Sequence, residues 1–214
     1  MEVAIPLYER FTALDAVGPY EVLSRIPGTQ VRFIAAEPGP VQAETGMLTL
    51  TAHDALSDVP HPEVIVVPGG LGNRELLEDE ALLGWVREAH AHSHWTTSVC
   101  TGALLLAAAG ILDGVDARTH WAAREVLAGL GGRPVAERVV ERGKIITAAG
   151  VSAGIDMALL LTARIGGDDL ARAIQLGIEY DPQPPFDSGS VENAPPHLRA
   201  LLQDMLSREG VGAS

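Results

Sequence analysis

The stretch Trp95-Thr96-Thr97-Ser98-Val99-Cys100-Thr101-Gly102-Ala103-Leu104-Leu105 decides how the chain is read. A β-branched run that suits a buried strand, Trp95 to Val99, passes without a loop into an Ala- and Leu-rich run expected to be helical from Cys100 to about Ala109. Small residues stand two before and two after the cysteine, at Ser98 and Gly102. That spacing lets a strand and a helix approach across a sharp turn and lifts the middle side chain to the carboxyl end of a sheet, where ligands of open α/β sheets bind. A nucleophilic Cys100 is expected there, with the helix N-terminus favouring thiolate. The alternative is that Cys100 is a small buried hydrophobe, as free cysteines commonly are.

Outward from this corner the chain alternates strands and helices. Strands are expected at Val3 to Leu7, Val31 to Ala36, Glu63 to Val67 and Ile145 to Ala148. Helices are expected at Asp15 to Ile26, Asn73 to His92, Trp121 to Leu130, Ser152 to Ile165, Asp168 to Ile178 and Pro196 to Ser207. Hairpins are expected at Val41 to Ala52, turning at Glu44-Thr45-Gly46, and around Arg142-Gly143-Lys144, where they add antiparallel edges. Short continuous apolar strands separated by helices predict an α/β three-layer sandwich, a mostly parallel central sheet with helices on both faces. No repeat or linker divides the chain, so residues 1–214 are expected to form one domain. The Pro- and Gly-rich segment Asp181 to Ser190 is either a cover over a site or a surface connector.

Composition narrows the function classes. With 47% apolar residues the chain can bury a core, and its net charge of −13, without a basic cluster, repels a phosphate backbone and argues against nucleic acid. One cysteine cannot form an intramolecular disulfide. The opening Met1-Glu2-Val3-Ala4-Ile5 has neither the basic start nor the apolar length of a signal peptide. The longest apolar stretch, Ala103 to Leu112, falls short of a membrane span. A cytoplasmic protein without membrane attachment is expected.

Partners for Cys100 come from three places. The turn Pro68-Gly69-Gly70-Leu71-Gly72 follows a strand expected beside that of Cys100, and the N–H groups of Gly69 and Gly70 can face developing charge; an ordinary tight turn is the alternative. Nucleotide binding is disfavoured, because neither GxGxxG nor GxxxxGK[ST] is present. Asp15 opens the first helix among apolar neighbours. It is either an ordinary cap or, if buried, a carboxyl raised enough to donate a proton. His120, in Thr119-His120-Trp121, either orients the site or is structural. His90, His92 and His94 read as a solvated helix end, although His90 and His94 would share a helical face, and no metal is expected. Asp156, inside an apolar helix, is expected to hold neighbouring groups in place.

Together the Pro68-Gly69-Gly70 turn, the Cys100 corner, Arg118-Thr119-His120-Trp121 and Gly150-Val151-Ser152-Ala153-Gly154-Ile155-Asp156 resemble the ThiJ/PfpI branch of the class I glutamine-amidotransferase-like superfamily. Within that branch the chain looks most like the isonitrile hydratases. Asp15 falls four residues before Pro19, where most relatives carry glutamate; Thr101 follows the cysteine; and Gln175 to Phe186 is similar to the hydratase segment. Thr101 stands where the intracellular-protease branch has histidine, and Asp15 replaces the glutamate on which the glyoxalase and deglycase branch relies.

The resemblance implies isonitrile hydration to an N-substituted formamide without a cofactor, and a homodimer. Cys100 would be the nucleophile, Asp15 the acid and base, and Thr101 and the Gly70 N–H the stabilising donors, with Gly69, Gly70 and His120 lining the substrate site. Two other functions stay open. One is a ligand-sensing domain like the sensory halves of AraC-type regulators, which share the Thr-His-Trp segment; here no helix-turn-helix domain is expected after residue 207. The other is a glyoxalase or redox-sensing relative.

Overall fold

The computed structural model describes residues 1–208; residues 209–214 of the expected 1–214 unit lie outside the described residues. The first half of the chain contains β1 (Glu2–Pro6), α1 (Ala13–Leu23), β2 (Gln30–Ala35), β3 (Gly39–Gln42), β4 (Thr49–Ala52), β5 (Asp54–Ala55), β6 (Val64–Val67), α2 (Glu80–His92), β7 (Trp95–Ser98) and α3 (Gly102–Ala108). The second half adds β8 (Asp116–Ala117), α4 (Arg124–Gly129), β9 (Arg133–Pro134), β10 (Val139–Arg142), β11 (Ile145–Ala148), α5 (Ala153–Gly166), α6 (Asp168–Gly177) and α7 (Pro196–Arg208).

The central sheet runs β10-β11-β7-β6-β1-β2-β5. Every pairing in it is parallel except the β10–β11 hairpin at one edge. Its middle strands have no exposed face: Val64, Ile65, Val66 and Val67 of β6 and Thr96, Thr97 and Ser98 of β7 are all fully buried, as helices on both sides require. The expected sandwich is therefore the observed fold. The hairpin of β3 and β4 departs from expectation. It pairs only with itself, as a separate two-stranded sheet, and the far edge of the central sheet is the short β5. Bridges from Phe11 to Ala43 and Gly70 tie this hairpin over the loop that follows β1.

Helix boundaries shift where caps and turns intervene. The run expected as one helix from Asn73 to His92 is a 3₁₀ turn over Leu71–Leu76 followed by α2, because Asp79 caps a new start by accepting from the N–H groups of Ala81 and Leu82. Helix α2 ends at His92, so His94 lies beyond it and shares no face with His90. The His90 ring is 2.8 Å from Thr96 Oγ1.

Helices α1 and α5 cross closely. A Cβ on Gly154 would stand 3.2 Å from the Pro19 ring, and one on Gly18 would stand 3.1 Å from Ile155. Both helices carry an acid in the first turn, Asp15 and Asp156. Residues of the 181–190 segment are mostly exposed, and none reaches the cavity below, so the segment is a connector. Among the described residues no helix is long and apolar enough to cross a membrane.

Candidate active site

Cys100 sits between β7 and α3 with φ +56°, a left-handed conformation that a side chain rarely adopts and that the expected sharp corner imposes. Its N–H donates to Ala149 O at 2.9 Å, and its carbonyl accepts from Thr119 Oγ1 at 3.0 Å, so both peptide groups are held. Gly102 is required by contact: a Cβ there would stand 2.2 Å from Val67 O. Asn73, buried, donates from Nδ2 to Thr101 O at 2.9 Å and pins the corner from the 3₁₀ turn.

Asp15, fully buried in the first turn of α1, lies beside the thiol. Its Oδ2 accepts the Gly69 N–H at 2.8 Å, whereas Oδ1 has no well-directed partner. Burial pushes the carboxyl from an ordinary 3.8 up to about 8, against the Gly69 bond; the Glu44 charge raises it further, and the nearby Cys100 thiol offsets part of the rise. Among the described residues no cation acts on it. At neutral pH Asp15 therefore keeps its proton.

Cys100 departs from the thiolate expectation. Burial and the neighbouring Asp15 push its thiol well above the usual range, with Glu44 adding to the rise, and the backbone N–H groups of Val151 and Thr101 only partly oppose this. Desolvation outweighs the helix end, and the resting group is a thiol beside a neutral acid.

The Gly69 and Gly70 N–H groups are both engaged. Gly69 N–H holds Asp15, and Gly70 N–H donates to Thr101 Oγ1 at 3.0 Å. In this arrangement the two N–H groups hold the side chains of Asp15 and Thr101. A Cβ on Gly69 would fall 2.6 Å from Thr101 N and 2.9 Å from Asp15 Oδ2, so only glycine allows this approach. With its oxygen fixed as acceptor, the Thr101 hydroxyl has only a long 3.5 Å contact to Gly70 O for its proton, which leaves that proton available to the cavity.

The cavity above Cys100 has a volume of about 310 Å³. Leu71, Leu104, Ala123, Val126, Val151 and Leu206 give it apolar walls, and Thr12, Glu44, Thr101 and His120 line the polar end. Leu206 comes from α7, which the 181–190 connector delivers. Burial and Arg118 push His120 down to about 4, so its ring is neutral, and its Nδ1 accepts the Ala122 N–H at 3.4 Å. A Cβ on Gly150 would stand 2.7 Å from this ring. Glu44 is joined to Thr12 Oγ1 at 2.9 Å.

Sequence reasoning missed Glu44, Asn73 and the Val151 N–H. Glu44 had been placed only as the tip of a hairpin turn and Asn73 as a helix start, while the Val151 donor is main chain and carries no side-chain signature. Asp156 bears out its structural assignment: it accepts from Arg138 Nε at 2.6 Å and from Tyr180 OH at 3.1 Å.

Known proteins are similar to this chain in sequence and in fold. The chain is 44% identical over 195 residues to the isonitrile hydratase of Pseudomonas putida, covering 91% of this chain and 85% of that one. It is 30% identical over 171 residues to the HTH-type transcriptional regulator CdhR of Pseudomonas aeruginosa, covering 78% of this chain and 50% of the regulator. A crystal structure of a ThiJ/PfpI family protein from Pseudomonas syringae superposes with a TM-score of 0.93 at 34% identity, over 97% of this chain and 86% of that one. Residues 1–164, which carry β1 through most of α5 and with them Asp15, the Gly69 turn and the Cys100 corner, match the DJ-1/PfpI family, and the chain belongs to it.

Proposed function

We propose that this chain hydrates isonitriles to N-substituted formamides, with Cys100 as nucleophile and Asp15 as proton shuttle. The observation that carries the mechanism is the buried Asp15 carboxyl, held neutral beside a thiol at the floor of an apolar cavity. The isonitrile carbon has a lone pair that accepts a proton and becomes electrophilic once protonated. A neutral acid paired with a neutral thiol suits that order of events better than a preformed thiolate would. Similarity to the hydratase of Pseudomonas putida supports the substrate class.

In the first step Asp15 gives its proton to the isonitrile carbon. The Cys100 sulfur bonds to that carbon and the thiol proton passes to Asp15, leaving the thioimidate R–N=CH–S–Cys100. The N–H groups of Thr101 and Val151 stabilise sulfur while it carries charge. In the second step water adds to the same carbon and Asp15 relays a proton from it to nitrogen, giving R–NH–CH(OH)–S–Cys100. The hydroxyl proton then moves through Asp15 to sulfur as the C–S bond breaks, releasing R–NH–CHO and the thiol. The Thr101 hydroxyl is placed to donate to nitrogen or to the incoming water. His120, neutral, serves as a wall and a polar contact.

The single cysteine and its thiol state fit a reducing cytoplasm, which we take as the compartment. A homodimer is part of the same proposal. The exposed apolar side chains of Leu14, Met47 and Leu48 flank the joined Thr12 and Glu44 and supply the contact. Sedimentation of Met47→Asp should then show monomer.

The regulator CdhR keeps a ligand-sensing alternative in view. Incubation with an alkyl isonitrile and with methylglyoxal tests all three activities. Formamide from the isonitrile, lost in Cys100→Ala, supports hydration; binding without turnover indicates a sensor, and lactate from methylglyoxal a glyoxalase.

A further inference from the structure

We propose that His61, Glu88 and His92 form a binding site for a borderline divalent cation, with Zn²⁺ as the type case, at the amino ends of the middle strands, opposite Cys100. His61 lies in the loop before β6, and Glu88 and His92 stand one turn apart near the end of α2. One ligand atom from each comes within 4.8 Å of the other two. His61 Nε2 is 3.0 Å and His92 Nδ1 is 3.5 Å from Glu88 Oε1, and the two imidazole rings are 4.0 Å apart.

Zinc bonds of 2.0–2.2 Å to nitrogen and oxygen at tetrahedral angles require ligand atoms roughly 3.3 Å apart, close to the 3.0 and 3.5 Å found between each imidazole and Glu88. Two imidazoles and one carboxylate match the preference of such ions over Mg²⁺ or Ca²⁺. Binding would exchange the 3.0 Å contact between His92 Nδ1 and the Glu88 carbonyl for a bond to the cation. Three protein ligands leave a further position for water.

The ligand set is supported from behind. Trp85, one helical turn before Glu88, donates from its buried indole N–H to Val59 O at 2.9 Å, tying the His61 loop to α2. The chain's net charge of −13 favours cations at its surface. Since β6 and β7 lead away from this site toward the Gly69 turn and Cys100, the site stands a strand's length from the cavity and takes no part in the chemistry there.

The test uses untagged protein, stripped of metal and titrated with Zn²⁺ by calorimetry. One equivalent should bind to the wild type and to Cys100→Ser alike. His61→Ala and His92→Ala should each weaken binding at least about tenfold, no less than loss of an outer-shell partner does, while their thermal unfolding without Zn²⁺ stays unchanged. In the wild type, Zn²⁺ should protect His61 and His92 from carbethoxylation, read by peptide mass spectrometry. Absence of saturable binding, equal affinity in both histidine variants, loss in Cys100→Ser, or unprotected His61 and His92 would overturn the proposal.

Discussion

Asp15 and Asp156 occupy the first turns of two helices that cross in contact, yet the fold treats them oppositely. Asp156, partly open to solvent, is gripped by Arg138 and Tyr180. Asp15, fully buried, receives one peptide N–H and no cation, so burial raises it to about 8. Two carboxyls in similar sequence surroundings thus become an anchor and an acid, and the number of partners supplied at each site decides which. An unpaired buried carboxyl is costly to stability, and its position beside Cys100 shows where that cost is put to use.

The largest difference between them should appear in turnover. Asp15→Asn keeps the shape but cannot relay a proton, and formamide production should fall by about 10²- to 10⁴-fold, the usual worth of a general acid–base. Cys100→Ala should abolish it. Asp156→Asn should leave the rate within a few-fold of wild type. Steady-state assays on the three variants decide this.

Stability should separate the two carboxyls next. The folded state holds the Asp15 proton up to about pH 8, whereas the unfolded chain releases it near 3.8, so the unfolded state binds fewer protons between those values. Wild-type stability therefore falls as pH rises through this window, by on the order of 4 kcal/mol between pH 5 and pH 8 relative to Asp15→Asn. Denaturant unfolding of both proteins at the two pH values measures it. Asp156→Asn should instead cost about 0.5–1 kcal/mol, the worth of a half-exposed ion pair.

Substrate turnover should follow the same titration. Because the acid form of Asp15 donates, kcat/KM should be level below about pH 8 and fall above it, and a rate that rises through pH 8 would mean that the ionised form attacks or abstracts. The smallest effect is expected at the far wall of the cavity, where Leu206→Ala should shift preference a few-fold toward bulkier N-substituents, read by kcat/KM across an isonitrile series.

Much of this architecture was legible in the chain. The runs of β1 and β6 are apolar on both faces, and β7 is β-branched and buried, as a covered parallel strand requires. The small residues around Cys100 announce the corner because van der Waals contact with Val67 admits nothing larger at Gly102. The protonation state of the site was not legible. Whether Asp15 is buried, and whether a cation reaches it, depends on elements distant in sequence: the Gly69 turn, the Glu44 hairpin and α5. For the same reason the Gly69 and Gly70 N–H groups could be expected at the site but not assigned to Asp15 and Thr101 rather than to a ligand. The break at Asp79 was hidden because apolar spacing continues across it while the cap redirects the backbone.

The most direct test is intact and peptide mass spectrometry of the protein mixed with a small alkyl isonitrile and quenched within the first turnovers. Wild type should carry one added isonitrile mass on the Cys100 peptide while free formamide accumulates, and Asp15→Asn should do so only slowly. Formamide formed at the wild-type rate by Cys100→Ala, with no adduct on the wild-type peptide, would contradict a covalent route through Cys100.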